Sequence, residues 1–227
     1  MNTETEVVII GAGAAGSMYA AILAEAGRSV TVLDGGPPWQ LTDLYSSQTW
    51  ARRLKWAEPH AEEQPGDSLW FNFNAGRGYG GAALHHFGVW PRFHEEDFKE
   101  FSLYGKGLDW PLEYQDLRPF YDRVQADIGI AGDAEAEIWR PEGDPYPLPP
   151  VPRFAQGDIL KKGFESRDMH VAPVPVAVLT QPYKGRPACL WDGWCEAGCP
   201  IGALGNPLVE YLPRAVRAGA VLRPHSR

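Results

Sequence analysis

Sulfur and imidazole are scarce in this chain: 227 residues hold three cysteines, three methionines and six histidines. Three thiols cannot all pair, so a disulfide framework is a poor fit. No run of eighteen apolar residues occurs, and no segment reads as a bilayer-spanning helix. Positive charge is in the minority, with 21 Lys and Arg against 29 Asp and Glu. The resulting formal charge of −8 argues against general binding to nucleic acid or to an anionic membrane. The N-terminus is acidic, and its apolar run leads straight into a glycine turn, so it reads as a first strand with no signal peptide. That reading places the chain in the cytoplasm, or in the periplasm or at a membrane if a partner carries it there. Glycine (25), proline (21) and tryptophan (9) are plentiful. They predict long ordered loops and speak against a helical bundle. Apolar and charged fractions of 44% and 22% are those of a soluble globular protein, with room for one large domain or two small ones.

Residues 6–10, EVVII, read as a buried parallel strand that is short, β-branched and ended by glycine. Residues 14–27 read as an Ala-rich helix with Gly27 as its stop, and SVTVLD (29–34) as a second strand. A β-turn-α-β unit of this length implies parallel strands and an α/β fold. Further on, helices are expected over 114–127, 158–166 and 208–220, with a strand over 170–180 and another beginning at Val221. The proline-rich stretch 139–153 cannot form regular structure.

The turn between the first strand and helix is GAGAAG, which sets Gly11, Gly13 and Gly16 in G-x-G-x-x-G register. Gly11 makes the tight turn, Gly13 lets backbone approach a pyrophosphate, and Gly16 permits close helix–strand packing. Ala14 and Ala15 sit between them, at the helix N-terminus that favours phosphate charge. Asp34 closes the second strand eighteen residues beyond Gly16, where a carboxylate can accept from ribose hydroxyls and disfavours a 2′-phosphate. The ligand expected from this context is a dinucleotide, FAD or NAD, and the N-terminal position of the motif leans toward FAD.

A second glycine cluster, GRGYGGAALHHFGVWPRFHEEDF, begins at Gly76. Together with the first motif it resembles the glucose–methanol–choline flavoprotein oxidoreductases, and above all the flavoprotein subunits of bacterial sugar and sugar-acid dehydrogenases. LDWPLEYQDLRPFYDRVQADIGIAG resembles the segment that follows, and the likeness runs from Val7 to about Arg223. The resemblance implies FAD, and places Arg77, Gly80, Gly81, Ala82, Ala83, His85 and His86 along the flavin and pyrophosphate. This chain departs from the pattern at Ala82 and Ala83, where members usually carry Ser or Thr. His85 and His86 read either as rings packed in the interior or as flavin contacts, and some relatives attach flavin covalently through a histidine near His85.

ACLWDGWCEAGCPIGAL, residues 188–204, holds every thiol of the chain in a C-x5-C-x3-C array of Cys189, Cys195 and Cys199. Thiolates suit iron–sulfur clusters and zinc, and three buried, inert thiols are the third reading. The flanking sequence resembles sugar dehydrogenase subunits with an iron–sulfur cluster, which implies a 3Fe–4S cluster here, with Asp192 as a conceivable fourth ligand. Electrons would then leave the flavin for a quinone or a cytochrome c subunit.

The expected architecture is therefore a Rossmann-type FAD-binding domain with a long flavin-covering segment over 1–110. A partial substrate region would span 111–180, and the cysteine loop would return to the FAD domain over 181–227. The implied reaction is oxidation of a CH–OH group on a sugar, polyol or sugar acid. Because family members are more than twice as long, the resemblance implies that this is an N-terminal part completed by a C-terminal half or partner chain. The catalytic base is expected outside it: His60, His94, His170 and His225 all read as surface or loop residues. The competing readings are a non-catalytic half-enzyme or FAD-binding module, and an oxygen-using oxidase of the same family without a cluster.

Overall fold

The computed structural model describes residues 4–55 and 75–226. They fall into two compact units, Met1–Phe87 with Leu190–Arg227, and Gly88–Cys189.

The first unit is built on a three-stranded parallel sheet in the order β1 (Val7–Ile10), β2 (Val30–Leu33), β3 (Val221–Arg223). Val8 aligns with Thr31 and Thr31 with Val221, so these three share one face. Helix α1 (Ala14–Glu25) connects β1 to β2, and α6 (Tyr211–Arg217) precedes β3. Both helices come close together because the buried faces are small: Ala20, Ala21 and Ala24 on α1, Ala215 on α6. Arg214 reinforces the pair, reaching both carboxylate oxygens of Glu25 at 2.8 Å and Glu210 at 3.1 Å. The expected α/β class and parallel strands are those observed. Helix α6 starts three residues later than expected because Pro213 has no N–H and fits only the first turn of a helix. Between β2 and the second glycine cluster lie a 3-10 turn (Leu41–Asp43), helix α2 (Gln48–Ala51) and a second 3-10 turn (Arg52–Leu54). Leu44, Leu54 and Leu84 form a buried cluster there, with Trp39, Leu41 and Leu208 packed around it.

The second unit carries α3 (Glu100–Tyr104), α4 (Tyr114–Ile128) and α5 (Ala155–Glu165). Helix α4 begins with a capping box between Glu113 and Asp116 and ends at Gly129, whose φ of +83° only glycine adopts readily. Its buried side is polar. The Arg92 guanidinium donates to Asp122 (2.6 Å), Gln125 (2.8 Å) and the Tyr114 hydroxyl (3.0 Å). The strand expected over 170–180 is not formed. Pro173 and Pro175 supply no N–H to a ladder, and only isolated bridges remain, from Val176 to Val89 and to Ala131. Among the described residues no helix is long and apolar enough to cross a membrane.

Candidate functional site: a glycine-lined cleft at the end of the sheet

The first glycine turn rises directly from β1. Gly11 has φ +94°, and its N–H donates to the Leu33 carbonyl at 2.7 Å, which ties the turn to β2. Gly16 faces back onto the turn, and a Cβ there would overlap the Gly11 carbonyl oxygen and crowd Ile9. Gly13 is the N-cap of α1, and a Cβ on it would meet nothing within 4 Å. Ala14 and Ala15 begin the helix as exposed residues. Its first turn contains no acidic side chain, so nothing opposes the positive end of the helix dipole.

The second glycine cluster interlocks with the first. Gly80 donates its N–H to the Ala12 carbonyl at 2.9 Å, and a Cβ on Gly81 would stand 3.2 Å from Gly13 Cα. The loop after β2 joins them, since a Cβ on Gly36 would overlap the Gly78 backbone and Tyr79 donates to the Pro37 carbonyl at 3.0 Å. Three chain segments therefore pass each other at backbone distance. Side chains would hold them apart.

These segments enclose a cleft of about 430 Å³. Of the sequence-derived candidates, Gly11, Gly13, Asp34 and Gly81 line it. Ile10, Leu33, Gly35, Gly76, Gly78 and Ser226 line it too, and were not singled out from the sequence. Gly76 and Gly78 were legible within the GRGYGG run, but Ser226 carries no local signal. It arrives because β3 lies beside β2, with the Ser226 N–H donating to the Asp34 carbonyl at 2.9 Å.

Asp34 differs in detail from expectation. Its Oδ2 accepts the Ala12 N–H at 2.9 Å and its Oδ1 accepts the Gly36 N–H at 2.8 Å. The carboxylate thus braces the first glycine turn and the loop after β2, and only its remaining lone pairs face the cleft. Tyr79 is buried beside it, and burial together with the Asp34 charge pushes its phenol above the ordinary range.

The remaining candidates lie away from the cleft lining. Arg77 acts through its backbone, accepting the Trp39 indole N–H at 2.6 Å and donating to the Leu54 carbonyl at 2.7 Å. Ala82 and Ala83 belong to the 3-10 turn Gly81–Leu84, with Ala82 exposed. His85 follows, 4% exposed, and its Nε2 is buried with no hydrogen-bond partner among the described residues. Burial, aided by the Lys55 charge, holds its pKa below the usual imidazole value. Burial also lowers His86, whose Nε2 lies 2.9 Å from the Gly205 carbonyl, a contact that partly opposes the shift. His94 caps a 3-10 turn, His170 packs on Trp139 and contacts the Ala136 carbonyl, and His225 is exposed in a turn. His60 lies outside the described residues.

The cysteine loop divides between the units, with Cys189 in the second and Cys195 and Cys199 in the first. All three are half-buried thiols. The turn Cys195–Ala197 is followed by Gly198 (φ +75°), which packs on Leu44, and Glu196 pairs with Lys55 at 3.8 Å. Asp192 is engaged by the Ser46 hydroxyl at 3.0 Å and the Trp194 N–H at 3.3 Å. Among the described residues no three His, Cys, Asp or Glu side chains converge on a point that would hold a metal ion.

A parallel sheet whose first βα turn and neighbouring loops are stripped to backbone defines a dinucleotide-binding domain, and the FAD binding domain family matches residues 6–83. The chain belongs to the glucose–methanol–choline flavoprotein oxidoreductases and corresponds to their N-terminal region. It is 31% identical to 2-methyl-1,2-propanediol dehydrogenase of Mycolicibacterium austroafricanum, over 99% of this chain and 42% of that protein. It is also 31% identical to the fructose dehydrogenase large subunit of Gluconobacter japonicus, over 100% of this chain and 46% of that subunit. Pyridoxine 4-oxidase from Mesorbium loti shares the fold, with a TM-score of 0.60 at 20% identity over 99% of this chain and 43% of the other. The chain thus spans less than half the length of these relatives.

Proposed function

We propose that this chain holds the FAD of an oxidoreductase that oxidises the CH–OH group of an alcohol, sugar or sugar acid. The observation that carries the reading is the cleft in which Gly11, Gly13 and Gly81 leave one wall as bare backbone. When bound there, FAD supplies the two-electron acceptor for the carbon-bound hydrogen. The chain's own part is to seat the pyrophosphate against Gly13 and the α1 N-terminus, and the ribose between Asp34 and Ser226. Ile10 and Leu33 keep water from one side. A C-terminal half or partner chain supplies the catalytic base and the rest of the substrate pocket, consistent with the share of its relatives that this chain spans.

The finer reading of the cysteine loop is iron–sulfur ligation by Cys189, Cys195 and Cys199, with electrons passing on to a cytochrome or quinone. The C-x5-C-x3-C spacing supports it.

The test is a titration with FAD and with NAD, followed by flavin fluorescence and calorimetry, on the chain alone and with its complementing half. FAD should bind and NAD should not. Gly13→Leu should abolish FAD retention while leaving the circular dichroism and melting curve unchanged, because its side chain enters open space. Gly16→Leu should unfold the unit, because its side chain would strike the Gly11 carbonyl. A folded Gly13→Leu protein that kept its flavin would overturn the assignment. Iron and sulfide analysis of anaerobically prepared protein containing both halves decides the cysteine reading, and absence of iron would remove it.

A further inference from the structure

The second unit contains a cavity that the flavin reading does not use. It measures about 410 Å³ and lies between the 3-10 turn Glu95–Phe98, helix α3 and the loop carrying Trp110. Its walls combine two chemistries. Phe98 is buried, and Phe93 and Trp110 stand edge-on to it with ring centroids 6.3 Å and 6.0 Å away, at interplanar angles of 78° and 61°. A backbone hydrogen bond from Trp110 to the Phe98 carbonyl, at 3.0 Å, fixes this arrangement. Phe93 and Trp110 are each about half exposed, so their rings are open to a ligand.

Carboxylates form the rest of the lining: Glu96, Asp97 and Glu100. Glu96 accepts the Tyr104 hydroxyl at 2.8 Å, and Asp97 accepts the His94 N–H at 2.7 Å. Neither contact neutralises charge. Among the described residues none of the three carboxylates is in a salt bridge, and the adjacent cation, Lys99, is committed to Glu113 at 2.8 Å. A neutral ligand would gain nothing from these carboxylates, and an anion would be repelled. A compact organic cation satisfies both walls, because aromatic rings and carboxylates attract the same charge.

We propose that this cavity binds a small organic ammonium ion, resting on the exposed Phe93 and Trp110 rings that flank Phe98 and neutralised by Glu96 and Glu100. The experiment follows the indole N–H resonance of Trp110, assigned with Trp110→Phe, in the ¹⁵N-labelled 227-residue chain. The probes are tetramethylammonium and a neutral molecule of the same shape, tert-butyl alcohol. Tetramethylammonium should produce a saturable shift, and the neutral isostere should bind at least about tenfold more weakly. Glu96→Gln and Glu100→Gln should each weaken the cation several-fold, to about the same extent as raising the salt, with the other indole resonances unmoved. Equal binding of the two probes would reduce the site to an apolar crevice and overturn the proposal. So would absence of a saturable shift in wild-type protein, or Gln variants that bind the cation as tightly as wild type. Cation binding is read without flavin, so its failure is separate from failure of the FAD assignment.

Discussion

His85 and His86 are adjacent, both depressed in pKa by burial, and both tied to the turn that follows the second glycine cluster. Lowering the pKa of a histidine in the folded state means that the unfolded chain binds more protons between that value and the ordinary one near ~6.5. Folding stability therefore rises with pH through this window and is lost as the pH falls through it. Thermal melts of the chain should show a falling midpoint as pH is lowered from about 7.5 to about 5.5. His85→Gln should flatten that dependence, since a glutamine takes up no proton. A midpoint equally steep in wild type and variant would show that other groups carry the effect. Among the described residues the buried Nε2 of His85 has no hydrogen-bond partner, and a buried nitrogen left without one is costly.

At the scale of elements, the two units are held by different means. Helices α1 and α6 pack through alanines, with Arg214 as an ionic clasp at the partly exposed end. Helix α4 instead buries a polar network centred on Arg92, whose side chain is 3% exposed. The Arg92 guanidinium comes so close to Gly143 that a Cβ there would overlap it. Removing one partner from such a network leaves the others desolvated and unpaired. Arg92→Leu should therefore cost ~3–5 kcal/mol, read as a shift in urea midpoint. Asp122 would lose the partner that helps hold its carboxyl below the ordinary range against the opposing effect of burial. The double variant Arg92→Leu, Asp122→Leu should recover part of the loss, because no uncompensated charge remains. A single variant within about 0.5 kcal/mol of wild type would mean that the network is already open to water.

For the molecule as a whole, the sheet is half covered. Helix α1 packs on β1 and β2 and carries α6 beside it, while Val8, Ile10 and Val221 on the opposite face are 55%, 89% and 49% exposed. Parallel sheets are normally buried on both faces, and β1 is also an unpaired edge among the described strands. The 227-residue chain by itself should associate with rising concentration and bind hydrophobic dyes. Val8→Lys, placed on the bare face away from the glycine turn, should reduce both. Sedimentation velocity over a hundredfold concentration range measures this, and a dye-silent monomer throughout would show that the face tolerates water. The same chain co-expressed with its complementing half should lose the dye signal.

The β-turn-α-β unit, the glycine cradle and the flavin family were all legible in the sequence. Each depends on local constraints: β-branched residues that favour strands, positive φ at Gly11, and the absence of a side chain where segments cross. Helix α4 was legible for the same reason, through the helical spacing of Leu117, Phe120, Tyr121 and Val124. Longer-range contacts decided the rest. Ser226 reaches the cleft only because β3 docks beside β2, and no motif spans that distance. Asp34 was recognised as an acid closing β2, but its two backbone partners come from separate loops. The segment 170–180 alternates like a strand, yet its prolines leave too few N–H donors for a ladder once the neighbouring chain is in place. Spacing along a chain sets which residues can meet within a few turns, whereas packing decides which residues from distant segments actually do.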